Sequence, residues 1–142
     1  MKLCILGGGL TGLSLAKSLV KKGLSIDIFL NKKKSDFNRS RTIGISNDNL
    51  MYFNKEILDI KKLFWDIKKI EIYSDNLRNE KILNFENNNK TVFAIIRNYQ
   101  LQSNLLKSLK KDKLCKFKQN FDYNLSNLKK YKLIINCEND NY

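Results

Sequence analysis
The residues best placed to do chemistry in this chain are three glycines, Gly7, Gly9 and Gly12. They are spaced Gly-x-Gly-x-x-Gly directly after the run Lys2-Leu3-Cys4-Ile5-Leu6. The spacing alone recurs by chance, but between a strand and a helix it suits the pyrophosphate of a dinucleotide. The first glycine lets the chain turn sharply out of the strand. The second removes a side chain where phosphate oxygens must approach the backbone, and the third lets the helix pack close to the sheet. A helix starting near Leu10 then aims its positive end and the first-turn N–H groups, at Leu10 and Thr11, toward the anion. This is binding chemistry: no side chain stands out as catalytic acid, base or nucleophile. The absence of histidine argues against a zinc site or a histidine-based triad. Cys4, Cys115 and Cys137 have neither a Cys-x-x-Cys nor a metal-ligand spacing, so no metal is expected. They fit a reduced, cytoplasmic setting.

The elements that must hold such a turn are legible in the periodicity. Lys2 to Leu6 is a short apolar run suited to a strand buried on both faces. From Thr11 to Lys22 the pattern is helical, with Leu13, Ala16, Leu19 and Val20 inward, and Gly23 is well placed to end the helix. Ile26, Ile28 and Leu30 give a second strand and complete one βαβ unit. Asn31 to Arg41 reads as a loop, and Asn47 to Leu58 as a helix. Ile70–Tyr73, Lys81–Phe85 and Thr91–Ile96 read as strands of a small antiparallel meander spanning roughly 65–96. Asn98 is placed to cap a helix running to about Leu109. Leu114–Phe117 and Leu133–Cys137 are candidates for further parallel strands. The fold class is therefore α/β: a Rossmann-like βαβ sheet with a small antiparallel meander inserted.

An acidic residue for an adenosine ribose should close the second strand, about 20 residues after the turn. Leu30 and Asn31 stand there. Asn31 could exchange one ribose hydrogen bond, and Asp27, earlier in the strand, reads as a solvent-facing or edge residue. Lys32, Lys33 and Lys34 follow; they suit either the extra phosphate of NADP or a solvated loop.

The 142 residues form one domain by size, and no apolar run approaches the length of a membrane-spanning helix. The net charge of +13 is nearly all lysine spread along the chain, with four arginines. That reads as compositional drift, not as a specific nucleic-acid surface, which would want arginine and interleaved aromatics. Attraction to anionic membrane surfaces is compatible with it.

The order of these features resembles the flavin-dependent aromatic hydroxylases, especially the ubiquinone-biosynthesis type. Ile5 to Ala16 looks like that family's FAD fingerprint, and Ser40-Arg41-Thr42-Ile43-Gly44-Ile45-Ser46 like its arginine segment. Phe64-Trp65-Asp66 and Ile70 to Asp75 are similar to its approach to the substrate-side sheet. Asn98 to Leu106 is similar to the helix whose glutamine, here Gln102, lies along the flavin dinucleotide. Tyr131 to Cys137 matches the strand before the family's Asp-Gly motif. The resemblance implies FAD as cofactor, with NADPH as a candidate reductant. It also implies Arg41 beside the cofactor and a polyprenyl-phenol, an aromatic lipid-like substrate. The family's ribose glutamate falls on Leu30, and its Ala-Asp-Gly on Cys137-Glu138-Asn139. Its second half, with a further Gly-Asp motif, lies outside these residues. The whole chain, 1–142, is thus expected to be the FAD-binding, N-terminal part of a larger hydroxylase fold, with 65–96 belonging to the substrate-side sheet. The alternatives are an NAD(P)-binding oxidoreductase module and a non-catalytic remnant.

Overall fold
The computed structural model describes residues 2–30, 39–75, 78–88, 90–119 and 129–138. In chain order the elements are β1 (Lys2–Leu6), α1 (Leu10–Lys21), β2 (Ser25–Leu30), β3 (Thr42–Ser46) and α2 (Asn47–Tyr52). A π-helical turn (Phe53–Ile57) leads on to β4 (Phe64–Ile67), β5 (Lys69–Tyr73), β6 (Lys81–Glu86) and β7 (Phe93–Arg97). Then come α3 (Asn98–Lys110), β8 (Cys115–Gln119) and β9 (Leu133–Asn136).

Four of the strands form a parallel sheet in the order β8-β2-β1-β9. Because the strands run parallel, every C-terminal end, and with it the glycine turn, lies at one edge. Leu3, Ile5, Ile26 and Ile28 join Leu13, Ala16 and Val20 of α1 and Leu101, Leu105 and Leu109 of α3 in one buried cluster. Fully burying each such side chain stabilises the fold by about 2 kcal/mol before entropy is counted. Gly23 ends α1 as the sequence predicts: at φ +79° its N–H reaches the Val20 carbonyl, and Leu24 N–H reaches Leu19 O.

A second, antiparallel sheet has the order β3-β7-β4, and β5 pairs with β6 alone. Two sequence readings are corrected here, and one segment without an assigned element gains one. The segment 42–46 is a strand, because Ile43 and Ile45 pack with Ala94 and Ile96 against the core. The expected three-strand meander divides: β7 leaves the hairpin to pair between β3 and β4, which lets Ala94 and Ile96 reach full burial. The helix expected over 47–58 divides after Tyr52 into the π-helical turn, where Ile60 N–H is held by Asn54 Oδ1 at 2.8 Å.

Two polar assignments also change. Asn98 does not cap α3; it is the first helical residue after Arg97, and its N–H donates to Arg41 O at 3.0 Å. Asp27 is neither solvent-facing nor at an edge. It is 0 % exposed, on the sheet face opposite α1, between β1 and β8. Its Oδ2 meets Lys118 Nζ at 2.6 Å and Lys2 Nζ at 2.9 Å, and accepts a hydrogen bond from the Tyr131 hydroxyl at 2.7 Å.

Candidate functional site
The turn between β1 and α1 is built by backbone demands that only glycine meets at two of its positions. Gly7 has φ +106°, where other residues are strained, and donates its N–H to Phe29 O at 2.9 Å. A Cβ there would stand 3.0 Å from the Cys137 carbonyl oxygen and 3.0 Å from Glu138 Cγ. A Cβ on Gly12 would collide with the Gly7 carbonyl oxygen, so its lack of a side chain is what lets α1 sit against the end of β1. Gly9 is different. A Cβ there would meet nothing within 4 Å, so its missing side chain leaves a space that the fold itself does not use.

Gly9 is also the N-cap of α1, with extended backbone and no side-chain cap, and the first turn carries no acidic residue. The first-turn N–H groups of a helix have no partner within it. Here they point past exposed Gly9 and Thr11 and half-buried Leu10. The positive end of α1 is thus presented with neither a capping oxygen nor a carboxylate from its own first turn. Phosphate oxygens fit this cradle.

Gln102 completes the turn from the side. It is 9 % exposed and donates from Nε2 to the Gly8 carbonyl at 2.8 Å, tying α3 to the glycine loop. Replacing it with leucine should cost about 1–2 kcal/mol in chemical denaturation, because the Gly8 carbonyl loses its donor and the loop its anchor. An unchanged denaturation midpoint would show that the bond does not hold the loop. Arg41 is exposed, and its carbonyl is joined to the first residue of α3. The structure therefore brings Gly7, Gly9, Leu10, Thr11, Gly12 and Gln102 to one place and places Arg41 at the start of the adjoining strand. Asn31 lies outside the described residues, as do Lys32–Lys34 and Asn139.

Leu30 was visible in the sequence as a departure, but not what it does. Its side chain packs where a Cβ on Gly8 would stand, so an apolar group lies against the loop at the end of β2. Beside the turn a cavity of about 330 Å³, mostly apolar, is lined by Leu10 and Thr11 of α1, Ile43 and Ile45 of β3, Tyr52 and Leu101. Cys137 is half-buried at the turn, and burial pushes its thiol up. Burial likewise pushes Cys4 and Cys115 up to about 11, so none of the three is an activated nucleophile.

No family model matches the sequence, and the search of curated proteins finds no match. Solved structures do match. The chain superposes on p-nitrophenol 4-monooxygenase PnpA from Pseudomonas putida DLL-E4 with a TM-score of 0.66 at 15% identity, over 83% of this chain and 31% of that one. PqsL, a probable FAD-dependent monooxygenase from Pseudomonas aeruginosa, gives 0.67 at 14% identity over 84% and 32%. HpxO from Klebsiella pneumoniae, solved with FAD and uric acid, gives 0.60 at 19% identity over 82% and 30%. The fold is that of the N-terminal part of FAD-dependent monooxygenases. The chain spans about a third of the length of those proteins. Within this monooxygenase fold the glycine turn stands at the carboxyl edge of the parallel sheet, where open α/β sheets bind their ligands.

Proposed function
We propose that the chain is the FAD-binding portion of a flavoprotein monooxygenase. The observation that carries this reading is Gly9: an open position at the uncapped start of α1, whose first turn has no acidic residue, in a fold shared with FAD-dependent monooxygenases. Gly7, Gly9, Leu10, Thr11 and Gly12 would hold the pyrophosphate through backbone N–H groups. Gln102 fixes the loop, Arg41 would offer a guanidinium to the cofactor, and Asn31, which lies outside the described residues, is kept from the sequence as the candidate for a ribose hydrogen bond. FAD, when bound, supplies the oxygen-activating chemistry. The cavity beside the turn suits an apolar or aromatic group. The substrate we assign is an aromatic, lipid-like phenol, a polyprenyl-phenol of ubiquinone biosynthesis, with residues 65–96 on the substrate side. NADPH is the reductant, and the protein acts in the cytoplasm, peripherally attached to a membrane.

Leu30 sets the expected affinity. An aliphatic side chain offers no hydrogen bond to a ribose, so binding should be weaker than a carboxylate there would allow. In calorimetric titration FAD should bind, and Leu30→Glu should tighten it about tenfold, as expected for a gained charge-assisted hydrogen bond. NADPH should not compete with FAD for the turn. A Leu30→Glu variant with unchanged FAD affinity would show that the end of β2 does not face the ribose.

A further inference from the structure
The positive charge of this protein is not evenly spread. Residues 39–75, 78–88 and 90–97, which form the antiparallel sheet and the hairpin, hold eleven basic residues against eight acids. Residues 2–30, 98–119 and 129–138, which form the parallel sheet and its two long helices, hold thirteen against three. Of those three acids, Asp27 is buried and paired with two lysines, and Asp112 lies 3.9 Å from Lys17.

Topology concentrates this excess further. The strands of the parallel sheet all begin at the edge opposite the glycine turn, and α1 and α3, each leading into one of those strands, end there. Exposed Lys22, Lys110, Lys111 and Lys113 therefore gather with Lys130 and Lys132 at one pole of the unit. Lys132 N–H is bonded to the Lys2 carbonyl, which places the approach to β9 beside the start of β1. Lysines at a helix C-terminus also complement its dipole, which accounts for one or two on each helix. It does not account for Lys113, Lys130 and Lys132, which precede strands. A five-residue strand spans about 17 Å, so this pole and the glycine turn face opposite ways.

We propose that this lysine pole docks the protein on an anionic lipid bilayer. The inference rests on the membrane part of the reading above and gives it a location and an orientation. The six side chains named are all lysine, flexible point charges that suit a diffuse planar field and lack the planar fork with which arginine reads phosphates or guanine. None of the six pairs with a carboxylate among the described residues. Docked this way, the glycine turn and its cavity face away from the lipid surface.

The test is co-sedimentation of the full chain with vesicles of phosphatidylcholine, alone or with about one third phosphatidylglycerol, at low and high salt. Binding is expected only to the charged vesicles and should fall as salt rises. Lys110→Gln/Lys111→Gln/Lys113→Gln should weaken it about fivefold per lysine, about 100-fold in all. Lys68→Gln/Lys81→Gln/Lys90→Gln removes the same net charge from the other half and should cost about twofold. Equal losses in the two variants would overturn the proposal by making net charge the cause. Tighter binding to a DNA duplex than to the charged vesicles, lost in the pole variant, would overturn the choice of a membrane. Flavin retention, read on the same samples, should be unchanged in both variants. Flavin retention without vesicle binding would sink the docking surface alone, and vesicle binding without flavin would sink the cofactor reading alone.

Discussion

Replacing Asp27 with asparagine is expected to lower the unfolding free energy by about 3 kcal/mol and the melting temperature by about 10 °C. Burial alone would push the Asp27 carboxyl up. Hydrogen bonds from Lys118, Tyr131 and Lys2 outweigh that and hold it below its ordinary value. One oxygen, Oδ2, takes all three partners, while Oδ1 is buried with no hydrogen-bond partner among the described residues. The group is stable there only as a paired anion joining the starts of β1 and β9 to β2 and β8. Asparagine keeps the shape, removes the charge, and turns an amide toward two ammonium groups. Lys118→Gln should cost less, about 1 kcal/mol, because Lys2 and Tyr131 remain and Lys118 is itself one-third exposed. The pH dependence fixes the sign. A carboxyl with a depressed folded-state pKa stabilises the fold above its unfolded value, near pH 4, and that contribution is lost as pH falls through the folded pKa. Wild type should therefore lose stability below about pH 4, and Asp27→Asn should lose less over the same interval. Parallel stability curves for the two proteins would mean that the Asp27 carboxyl titrates alike in the folded and unfolded states and is not held below its ordinary value.

The second large effect separates two glycines that look alike in the motif. Gly12→Val should destabilise the protein by about 3 kcal/mol or more, because its Cβ meets the backbone oxygen of Gly7 and α1 must lift away from the sheet. Flavin binding would then be lost together with stability. Gly9→Asp should do the opposite to the fold. Its backbone, at φ −73° and ψ 176°, is ordinary for any residue, the added side chain meets open space, and a carboxylate at an N-cap stabilises the helix by about 0.5–1 kcal/mol. The same carboxylate occupies the phosphate position and repels it, so FAD affinity should fall at least about 100-fold. A variant that is more stable yet fails to bind is hard to obtain unless Gly9 is kept for a ligand. Thermal melting and flavin titration of the two variants read both effects.

Much of this was legible in the sequence because it follows from local rules. The strand, turn, helix and strand over residues 2–30 are set by an apolar run, three glycines and a 3.6-residue period, and each appears where its pattern lies. Gly23 as the end of α1 is similarly local. What sequence missed depends on partners distant in the chain. Thr42–Ser46 carries only two apolar residues, and it becomes a strand because β7, some fifty residues later, pairs with it. Asp27 in Ser25-Ile26-Asp27-Ile28 has the alternation of a half-exposed strand. Only the arrival of β8 with Lys118, and of Tyr131, turns that position inward. The one available signal was that Lys2, Asp27 and Lys118 each sit in a run read as a parallel strand or beside one, where a lone charge is costly. Within the candidate site the glycine pattern could be read but not divided. That Gly7 answers to backbone conformation, Gly12 to packing and Gly9 to open space is a matter of neighbours five to about 130 residues away or none at all. The segregation of charge was hidden for the same reason: lysines scattered along the sequence meet at one pole only because parallel strands share an edge.

The most direct test of the central claim is the visible absorption spectrum of the purified chain and of its Gly9→Asp variant, each loaded with FAD and freed of excess. Flavin bands retained by the wild type and absent from an equally folded variant are the predicted result. A wild-type chain that is folded by circular dichroism yet holds no flavin would contradict the account, leaving a monooxygenase fold whose glycine turn binds no dinucleotide.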